Sequence, residues 1–507
     1  MNMPDLRNAP VLVVGAGIMG AGIAQVAAQA GHGVKLFDTR EGAAAEAKTK
    51  LAATLEGLVA KGKLPAEAAA AAVARIEPIA TIEQAATVSL VVEAVVERLD
   101  VKRSLFKQLE ALVGPHCILA TNTSSISVTA IANGLAHPGR LVGMHFFNPV
   151  PLMKLVEVVS GLQTDAAVAA SIFELSRAWG KVPVHAKSTP GFIVNRIARP
   201  YYAETLALLL EQAAEPAVLD ACLKAAGFRM GPCELMDLIG HDTNFAVTQS
   251  VYEANFFDKR YVPSLVQREM VDGGLLGRKS GRGFYRHGKD VPAPALPVAL
   301  HDAPATAHEV TVHGGGPIAD MLEAAATKAL ATQGWGPARD RESSWTGLRI
   351  DGARLVLTDG RTAQQLSQSM SVADVAVFDR PLVVPAVPGT ALAFAVAPQA
   401  SEAWRTQAGA WLAALGFAPL PLADAPGLVV ARTVAMLVNE AADAVLQGVC
   451  TPEGADSAMK LGVNYPAGPF EWLAAWSATG VIAVLEQLDT HYRGERYRVS
   501  PGLRRLA

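Results

Sequence analysis

Residues 10–20 read Pro-Val-Leu-Val-Val-Gly-Ala-Gly-Ile-Met-Gly, and this short stretch decides the fold. Its first part, residues 10–14, is an apolar run of the kind that forms a strand buried in a parallel sheet. Its second part has glycine at the first, third and sixth positions, and a helical pattern follows over residues 21–30. A further run over residues 34–38 ends in an acid and predicts the next strand. The order of strand, glycine-rich turn, helix, strand and acid predicts a βαβ unit that binds a dinucleotide.

Each glycine of the turn has a separate physical task. Gly15 permits the tight turn, Gly17 lets the backbone approach a pyrophosphate, and Gly20 lets the helix pack closely on the strand. The helix N-terminus then offers free N–H groups and a partial positive charge to the phosphates. Asp38, at the end of the second strand, is expected to accept hydrogen bonds from ribose hydroxyls and to repel a 2′-phosphate. The predicted cofactor is therefore NAD rather than NADP, and the alternative for Asp38 is an ordinary turn residue.

Composition limits the other classes of function. The 507 residues exceed what one hydrophobic core supports and predict about two to four domains. Hydrophobic residues make up 51% of the chain and the net charge is -3, which predicts packed cores and no basic surface for nucleic acid or an anionic membrane. The four cysteines form no CxxC pair, which argues against a disulfide framework or a zinc site. Residues 9–31 lack charge and superficially resemble a signal peptide, but their five glycines fit the dinucleotide turn better. The sequence predicts a soluble, cytoplasmic protein without a metal, whose partner is a small molecule.

The remainder of the N-terminal third alternates helical stretches with short apolar runs, as in a doubly wound α/β domain. The runs that predict strands are residues 89–92, 118–121, 141–146, 155–159 and 182–185. The alanine-rich residues 41–79 predict a helical hairpin, interrupted at Gly62 and Pro65. Its lysines, at positions 48, 50, 61 and 63, either meet an anionic group or form a solvated helix face.

Polar residues concentrate where the predicted strands end, and open α/β sheets place their sites at such ends. The segments concerned are residues 121–125, 145–149, 155–158 and 190–196. Glu157 interrupts an apolar strand, where an unpaired carboxylate is costly. His145, at the end of the preceding strand, is the nearest candidate partner, and a carboxylate beside an imidazole supports the imidazolium that a proton-accepting base becomes. The alternatives are that His145 is an ordinary histidine of the core and that Glu157 is a surface residue of an edge strand.

These motifs resemble those of the bacterial 3-hydroxyacyl-CoA dehydrogenase family. The matching blocks are GAGIMGAGIAQVAA at 15–28, VVEAVVE at 91–97, TNTSS at 121–125, HFFNPVPLMKLVEVV at 145–159, PGFIVNR at 190–196 and GRKSGRGFY at 277–285. The blocks lie within residues 10–288, and the one that begins at His145 is the most specific. The resemblance implies NAD-dependent oxidation of an (S)-3-hydroxyacyl-CoA thioester to the 3-oxoacyl-CoA, as in fatty acid β-oxidation.

The resemblance also implies individual roles. His145 corresponds to the catalytic base and Glu157 to its partner. Ser124 and Asn195 correspond to the residues that hydrogen-bond the reacting oxygen and the thioester-bearing substrate. The NAD contacts of the family fall on Gly15, Gly17, Gly20, Asp38, Glu97, Lys102 and Asn122. The family's helical hairpin receives part of CoA, which makes Lys61 and Lys63 candidates. Ser124 has an alternative role as a helix N-cap, because a serine after a strand often opens a helix.

The C-terminal half contains a degenerate repeat. Residues 190–196 recur in altered form at 426–432, and residues 231–235 recur at 468–472, which are offsets of 236 and 237. The second copy has Ala431 at the position of Asn195, so a packing role is expected there. Between the copies, a Pro/Ala-rich linker is followed by a degraded strand–turn–helix pattern without GxGxxG, and no second NAD site is predicted.

The predicted fold class is α/β, with an N-terminal doubly wound Rossmann domain, an all-α domain, a degenerate α/β spacer and a second all-α domain. Their predicted bounds are 1–188, 189–288, 289–425 and 426–507. Longer family members carry such tandem helical domains, including those of phenylacetate breakdown that act on 3-hydroxyadipyl-CoA. The distal carboxylate of that substrate would favour a nearby cation, which the sequence does not identify. Because the family's helical domain builds subunit contacts, the second copy either forms an intrachain pseudo-dimer or adds an interface for a homo-oligomer.

Two other functions compete with the thioester dehydrogenase. Some relatives with similar motifs oxidise sugar acids such as gulonate, but the tandem helical copy favours the acyl-CoA branch. A non-catalytic, NAD-binding structural relative is the other alternative, and the presence of all four candidate catalytic residues argues against it.

Overall fold

The computed structural model describes residues 6–292, 304–331 and 334–507. It divides into two compact units, Met1–Arg196 with Ala444–Val463 and Ile197–Asp443 with Asn464–Ala507. The predicted Pro/Ala-rich linker falls mainly on residues 293–303, outside the described residues. Within the described ranges, no helix is long and apolar enough to cross a membrane, and no cluster of His, Cys, Asp and Glu could hold a metal ion.

An eight-stranded sheet forms the centre of the first unit. Its strands are β1 (Val11–Val14), β2 (Val34–Phe37), β3 (Ile76–Pro78), β4 (Leu90–Glu93), β5 (Ile118–Thr121), β6 (Leu141–Phe146), β7 (Leu155–Ser160) and β8 (Val182–Lys187). They lie in the order β3-β2-β1-β4-β5-β6-β7-β8. The strands from β3 to β6 are parallel, β7 is antiparallel to β6, and β8 is parallel to β7. Because the connections run in opposite directions from β1 and β4, a crevice forms at the carboxyl ends of these two strands.

Helices connect these strands and cover the sheet. They are α1 (Ile18–Gln29), α2 (Ala43–Ala60), α3 (Ala66–Ala74), α4 (Leu99–Leu112), α5 (Val128–Ala132) and α6 (Ala166–Ala178). All four residues of β1 are buried, as expected of a strand covered on both faces. The predicted helical hairpin is α2 and α3, but the prediction of helix up to residue 79 was wrong, because residues 76–78 form strand β3. Pro78 cannot donate a ladder hydrogen bond, and this short strand lies at the sheet edge, where such a residue is tolerated.

The first helical copy follows β8. Its helices are α7 (Val194–Ile197), α8 (Arg199–Leu210), α9 (Pro216–Ala225), α10 (Pro232–Ile239), α11 (His241–Ala254) and α12 (Leu265–Asp272). The structure has a break at Ala198 between α7 and α8. Pro200, in the first turn of α8, has no N–H to bond back to the preceding turn, so a new helix begins there.

The second unit contains a seven-stranded sheet where the sequence predicted a degenerate α/β spacer. Its elements are β9 (Val310–His313), α13 (Gly316–Leu330), β10 (Ala338–Asp340), β11 (Gly347–Ile350), β12 (Ala353–Leu357), α14 (Ala363–Met370), β13 (Val375–Phe378), β14 (Thr390–Val396), α15 (Glu402–Ala414) and β15 (Phe417–Pro421). The strand order is β10-β9-β11-β12-β13-β14-β15. Successive pairs from β12 to β15 are parallel, antiparallel and parallel, which repeats the pattern from β5 to β8. This part of the spacer therefore repeats the topology of the second half of the first sheet.

The second helical copy completes the chain. Its helices are α16 (Val430–Leu446), α17 (Pro452–Gly462), α18 (Pro469–Trp476), α19 (Ala478–Tyr492) and α20 (Pro501–Arg504), and α17 belongs to the first unit. Proline opens α17, α18 and α20, at a position where its missing N–H costs no helical hydrogen bond.

The two helical copies contact each other reciprocally within the second unit. Glu204 of the first copy and Glu440 of the second are both fully buried, and each accepts hydrogen bonds from the other copy. The donors are an arginine and the tyrosine after it, Arg496 and Tyr497 for Glu204 and Arg260 and Tyr261 for Glu440, at 2.5–3.2 Å. Each of these residues in the first copy precedes its counterpart in the second copy by 236 positions, the offset of the sequence repeat. Such an exchange is the signature of a two-fold interface, here formed within one chain.

Candidate active site

The glycine-rich turn lies at the carboxyl end of β1. A Cβ on Gly15 would lie 2.4 Å from the carbonyl oxygen of Ala94, and one on Gly20 would lie 1.7 Å from that of Gly15. Gly15 also has a φ of 103°, which side chains rarely adopt. A Cβ on Gly17, by contrast, would meet nothing within 4 Å. The backbone at Gly17 therefore faces open space at the N-terminus of α1, where a pyrophosphate can approach the free N–H groups.

Asp38 holds the turn from the end of β2. Its carboxylate accepts hydrogen bonds from the backbone N–H of Ala16 at 2.7 Å and of Arg40 at 2.9 Å. The guanidinium of Arg40 could in principle meet a 2′-phosphate, but it forms a bidentate pair with Glu46 at 2.8 and 3.1 Å. An acid at the ribose position and an engaged arginine beside it both favour NAD over NADP.

A cleft of about 440 Å³ adjoins this turn. Gly17 and Gly22 of α1, Lys50 and Thr54 of α2 and Pro151 are among its lining residues. Lys61 and Lys63, predicted from the resemblance to contact CoA, are exposed in the turn after α2 and are not part of the lining. Lys61 lies seven residues after Thr54, on the same face of the helical spiral, so it extends the lined face toward solvent.

His145 and Glu157 are paired across β6 and β7. These two residues are opposite each other in the antiparallel register, and Nδ1 of His145 lies 2.6 Å from Oε2 of Glu157. Glu157 is fully buried, and its Oε1 accepts hydrogen bonds from the backbone N–H of Ile193 and Val194, each at 3.0 Å. With Nδ1 donating to this carboxylate, Nε2 of the imidazole is left as a proton acceptor.

One cavity of about 370 Å³ in the first unit collects most of the predicted site residues. Those that line it are Glu97, Lys102, Asn122, Ser124, His145 and Asn195. Asn122 accepts a hydrogen bond from the N–H of Phe146 at 2.9 Å, which ties the end of β5 to the end of β6. The amide nitrogen of Asn195 lies 3.4 Å from the carbonyl oxygen of Ser124.

Glu97 organises the loop that carries Ser124. Its Oε1 accepts hydrogen bonds from the N–H of Ser124 at 2.9 Å and from the hydroxyl of Thr123 at 2.6 Å. Burial opposes ionisation of Glu97, but Lys102 and these hydrogen bonds outweigh it, and the pKa of Glu97 lies below its usual value. Ser124 does not cap a helix, since the cap of α5 is Ser127, whose hydroxyl accepts from the N–H of Ala130 at 3.1 Å.

Comparison with known proteins agrees with this geometry. The family model described as 3-hydroxyacyl-CoA dehydrogenase, NAD binding domain, matches residues 10–189, and that of the C-terminal domain matches residues 191–287 and again 427–507. The chain belongs to the 3-hydroxyacyl-CoA dehydrogenase family. A third model, the 3-hydroxybutyryl-CoA dehydrogenase reduced Rossmann-fold domain, matches residues 355–426 of the spacer.

Individual relatives extend over different parts of the chain. The 3-hydroxyadipyl-CoA dehydrogenase of Escherichia coli is 43% identical over 499 residues, which are 98% of this chain and 97% of that protein. A crystal structure of a 3-hydroxybutyryl-CoA dehydrogenase from Escherichia coli matches with a TM-score of 0.88 and 43% identity over 99% of this chain and 98% of the other. The human mitochondrial hydroxyacyl-coenzyme A dehydrogenase is 42% identical over 285 residues, 55% of this chain and 90% of the relative. The protein is thus an NAD-dependent dehydrogenase of the long form, with a Rossmann domain at its N-terminus.

Sequence reasoning missed the buried partner of Lys102. The Lys102 ammonium is 1% exposed and lies 2.5 Å from Oε1 of Glu93 and 3.2 Å from Oε2 of Glu97. The hydroxyl of Thr121 donates to the other oxygen of Glu93 at 2.6 Å. Glu93 ends the apolar run of β4, and the argument that singled out Glu157, a lone acid in a buried strand, would have found it as well.

Sequence reasoning also missed Lys181. Its buried ammonium donates to the carbonyl oxygens of Val150 and Met153, the latter at 2.8 Å. Burial, with a further contribution from Lys154, lowers the pKa of Lys181 to about 8. The carbonyls belong to the loop after β6, which also lines the cleft beside the glycine turn.

The second copy of the dehydrogenase fold lacks counterparts of His145 and Glu157. Ala393, which lies 236 positions after Glu157, is opposite Asp379, whose N–H donates to it at 2.9 Å. The Asp379 carboxylate accepts from the N–H groups of residues 429–431, as Glu157 does from those of 193 and 194. A carboxylate thus still holds the start of the second helical copy, but the histidine is absent, and Ala431 is buried as predicted.

The strand end that corresponds to Ser124 in the second copy is closed. Gly360 follows β12, and a Cβ there would lie 2.8 Å from atoms of Val484 and Gln487 in α19. Helix α19 therefore packs directly on this strand end, and no cleft opens there among the described residues.

Proposed function

We propose that this protein oxidises the 3-hydroxyl group of (S)-3-hydroxyacyl-CoA thioesters to the ketone with NAD, and that 3-hydroxyadipyl-CoA is among its substrates. The observation that carries the proposal is the His145–Glu157 pair, which shares a cavity with Ser124 and Asn195. The dicarboxylic substrate is suggested by a relative that is 43% identical over 98% of the chain and is named for that thioester.

We assign the role of general base to His145. Its Nε2 accepts the proton of the substrate hydroxyl, and the Glu157 carboxylate stabilises the imidazolium that forms. Because Glu157 is also held by Ile193 and Val194, the imidazole keeps one orientation throughout. The hydroxyl of Ser124 lies 3.4 Å from Glu97, and the amide nitrogen of Asn195 lies 3.4 Å from the carbonyl oxygen of Ser124. Both groups turn from these long contacts to donate to the substrate oxygen as it becomes a carbonyl. NAD, when bound, accepts the hydride from the carbinol carbon.

The cofactor contacts follow from the fit of the turn. The open face at Gly17 takes the pyrophosphate, and the acid Asp38 takes the ribose hydroxyls. Gly15 and Gly20 shape that turn, where an added Cβ would clash with backbone atoms, and they are retained as predicted NAD contacts. Glu97, Lys102 and Asn122 line the cavity at the nicotinamide end.

We assign the CoA part of the substrate to the cleft along α2. Lys50 lines this cleft and can meet a phosphate, while Thr54 can donate a hydrogen bond. Lys61 and Lys63 lie in the turn after this helix and are retained as contacts for the charged end of CoA.

The decisive test measures NADH formation with purified protein and four compounds. (S)-3-Hydroxybutyryl-CoA and (S)-3-hydroxyadipyl-CoA should be oxidised, whereas free 3-hydroxybutyrate and L-gulonate should not. The His145→Gln variant should bind NADH like the wild type but turn over about 10²–10⁴-fold more slowly, the usual loss on removal of an acid–base group. Turnover of gulonate alone would establish the sugar-acid alternative. NADH binding without turnover of any thioester would favour the non-catalytic one.

A further inference from the structure

A segment of the second helical copy lies against the strands that carry the catalytic pair. This segment, residues 444–463, comprises the end of α16 and all of α17, and it belongs to the first unit. The N–H of Lys187, at the end of β8, donates to the carbonyl oxygen of Val449 at 2.9 Å. The Arg196 guanidinium donates to the side chain of Gln447 at 2.8 Å. The second copy, which has no base of its own, is thus fastened beside the base of the first.

Gly462, the last residue of α17, makes the closest approach. It is buried, and its backbone does not have the positive φ that would require glycine. Glycine in a helix costs about 1 kcal/mol relative to alanine, so the reason for it lies in the contact. A Cβ on Gly462 would lie 2.7 Å from a methyl carbon of Leu155 and 3.0 Å from one of Val194. Glycine is the residue that lets α17 pack this closely.

The neighbours of Gly462 are the immediate supports of the catalytic pair. Leu155 is two residues before Glu157 on β7, and so it points to the same face of the sheet. The N–H of Val194 donates to Glu157 at 3.0 Å. The ring of Phe147, 3.6 Å from the missing Cβ, packs on the imidazole of His145 with a centroid separation of 4.5 Å. A side chain at position 462 would crowd Leu155 and Val194 from its first carbon onward, and it would touch Phe147 at an ordinary contact distance.

We infer that Gly462 is a positioning residue for the His145–Glu157 pair. The second helical copy serves the reaction because its helix α17 packs on the residues that hold this pair in position. The inference rests on the proposed function, because it concerns the same base. The second helical copy, which has no catalytic groups of its own, then supports the pair in the first copy from within the same chain.

The test compares Gly462→Val with a control at the other end of the same helix. At Gly454 an added Cβ would lie 2.9 Å from Val184 of β8, which is opposite Glu157 in the parallel register, but it would meet none of Leu155, Val194 and Phe147. Gly454→Val therefore crowds the same helix against the next strand of the sheet and leaves the three neighbours of Gly462 in place. We expect Gly462→Val to lower kcat by about tenfold or more, since small displacements of catalytic groups are costly. The base limb of its pH–kcat profile should move, while NADH affinity stays unchanged. Gly454→Val should lower kcat less than Gly462→Val does and should shift the pH profile less.

A compensating substitution separates positioning from general destabilisation. Gly462→Val combined with Leu155→Ala creates room for the added methyl groups and should regain most of the lost kcat. Gly462→Ala, with a single added carbon, serves if the valine variant does not fold, and its loss should be smaller but of the same kind. A wild-type kcat and pH profile in the Gly462 variants, or equal losses in the Gly462 and Gly454 variants that follow their melting temperatures, would overturn the inference. Inactivity of the wild type toward thioesters would instead overturn the proposed function.

Discussion

At the residue scale, we propose that Asp38 has two separate roles. Its charge is expected to repel a 2′-phosphate and so to select NAD. Its Oδ2 accepts the hydrogen bond from Ala16 that holds the glycine turn. An alanine substitution removes both the charge and the hydrogen-bond acceptor. It therefore cannot separate an effect on cofactor selectivity from an effect on the conformation of the glycine turn. Asparagine retains an acceptor for Ala16 and removes the charge alone.

We expect Asp38→Asn to narrow the preference for NADH over NADPH more than it weakens NADH binding. Asp38→Ala should weaken the binding of both cofactors, because the turn also loses its anchor. Fluorescence titration of each variant with NADH and NADPH measures the two dissociation constants. An unchanged ratio of the constants in Asp38→Asn would show that the charge does not select the cofactor.

Among individual residues, the sequence predicted those whose partners lie near them in the chain or at the end of a neighbouring strand. His145 and Glu157 could be paired because they end and begin adjacent strands, and the structure places them 2.6 Å apart. Lys181 could not be found in this way, since its partners are backbone carbonyl oxygens 28 and 31 residues away. A backbone acceptor leaves no trace in the side-chain pattern.

At the scale of elements, the buried Lys181 holds the loop after β6 through two hydrogen bonds. The Lys181 ammonium joins its carbonyls at Val150 and Met153, and hydrogen bonds to charged groups contribute about 1.5–3 kcal/mol each. We expect Lys181→Met to release this loop, raise the KM for thioesters and lower the melting temperature. Lys154→Met is the charge-matched control, because Lys154 is exposed directly before β7 and the Lys181 ammonium keeps both carbonyl oxygens in that variant. Hydrogen exchange across the loop, measured for both variants, should rise only in the Lys181 variant. Unchanged exchange would contradict the clamp.

Strands with a strong apolar pattern in their own residues were predicted well. Strands that owe their conformation to hydrogen bonds with a neighbouring strand were not. Strands β5 and β6 have the predicted bounds, since buried apolar runs between turns leave little choice. Strand β3 was assigned to a helix, because an edge strand of three residues owes its conformation to hydrogen bonds with β2 rather than to its own side chains. Strand β11, antiparallel to both neighbours, likewise carries no pattern that the sequence analysis detected.

At the scale of the whole molecule, equivalent residues of the two copies are separated by a constant offset in the sequence. The sequence repeat predicted a second helical copy but left its contacts open. The structure shows that the N–H of Lys187 donates to Val449 while the N–H of Ala423 donates to Ala213, two contacts that exchange the copies at an offset of 236. Which copy meets which depends on the path of the chain in space, and no local pattern encodes that path.

The buried glutamates at the contact between the helical copies allow this organisation to be tested. Glu204 lies between Arg432, at 2.6 Å, and Arg496, at 2.9 Å, all within the second unit. Removal of one partner from a buried ion pair costs about 3–5 kcal/mol, because a charge is left uncompensated. Glu440 is less exposed to this penalty, since its partner Arg260 also pairs with Asp443. We therefore expect Glu204→Gln to lower the free energy of unfolding more than Glu440→Gln does.

The pH dependence gives the sign of the Glu204 contribution. Burial opposes ionisation of Glu204, but Arg496 and Arg432 outweigh it, so its pKa lies below the ordinary glutamate value of 4.5. A carboxylate whose pKa is lowered by folding stabilises the protein above the unfolded pKa, and this stabilisation is lost as the pH falls through the folded pKa. Urea unfolding of the wild type and Glu204→Gln should therefore differ fully at neutral pH and converge below about pH 4.5. A constant difference across this range would mean that the variant acts through packing, and a larger cost for Glu440→Gln would mean that Asp443 does not share the charge of Arg260.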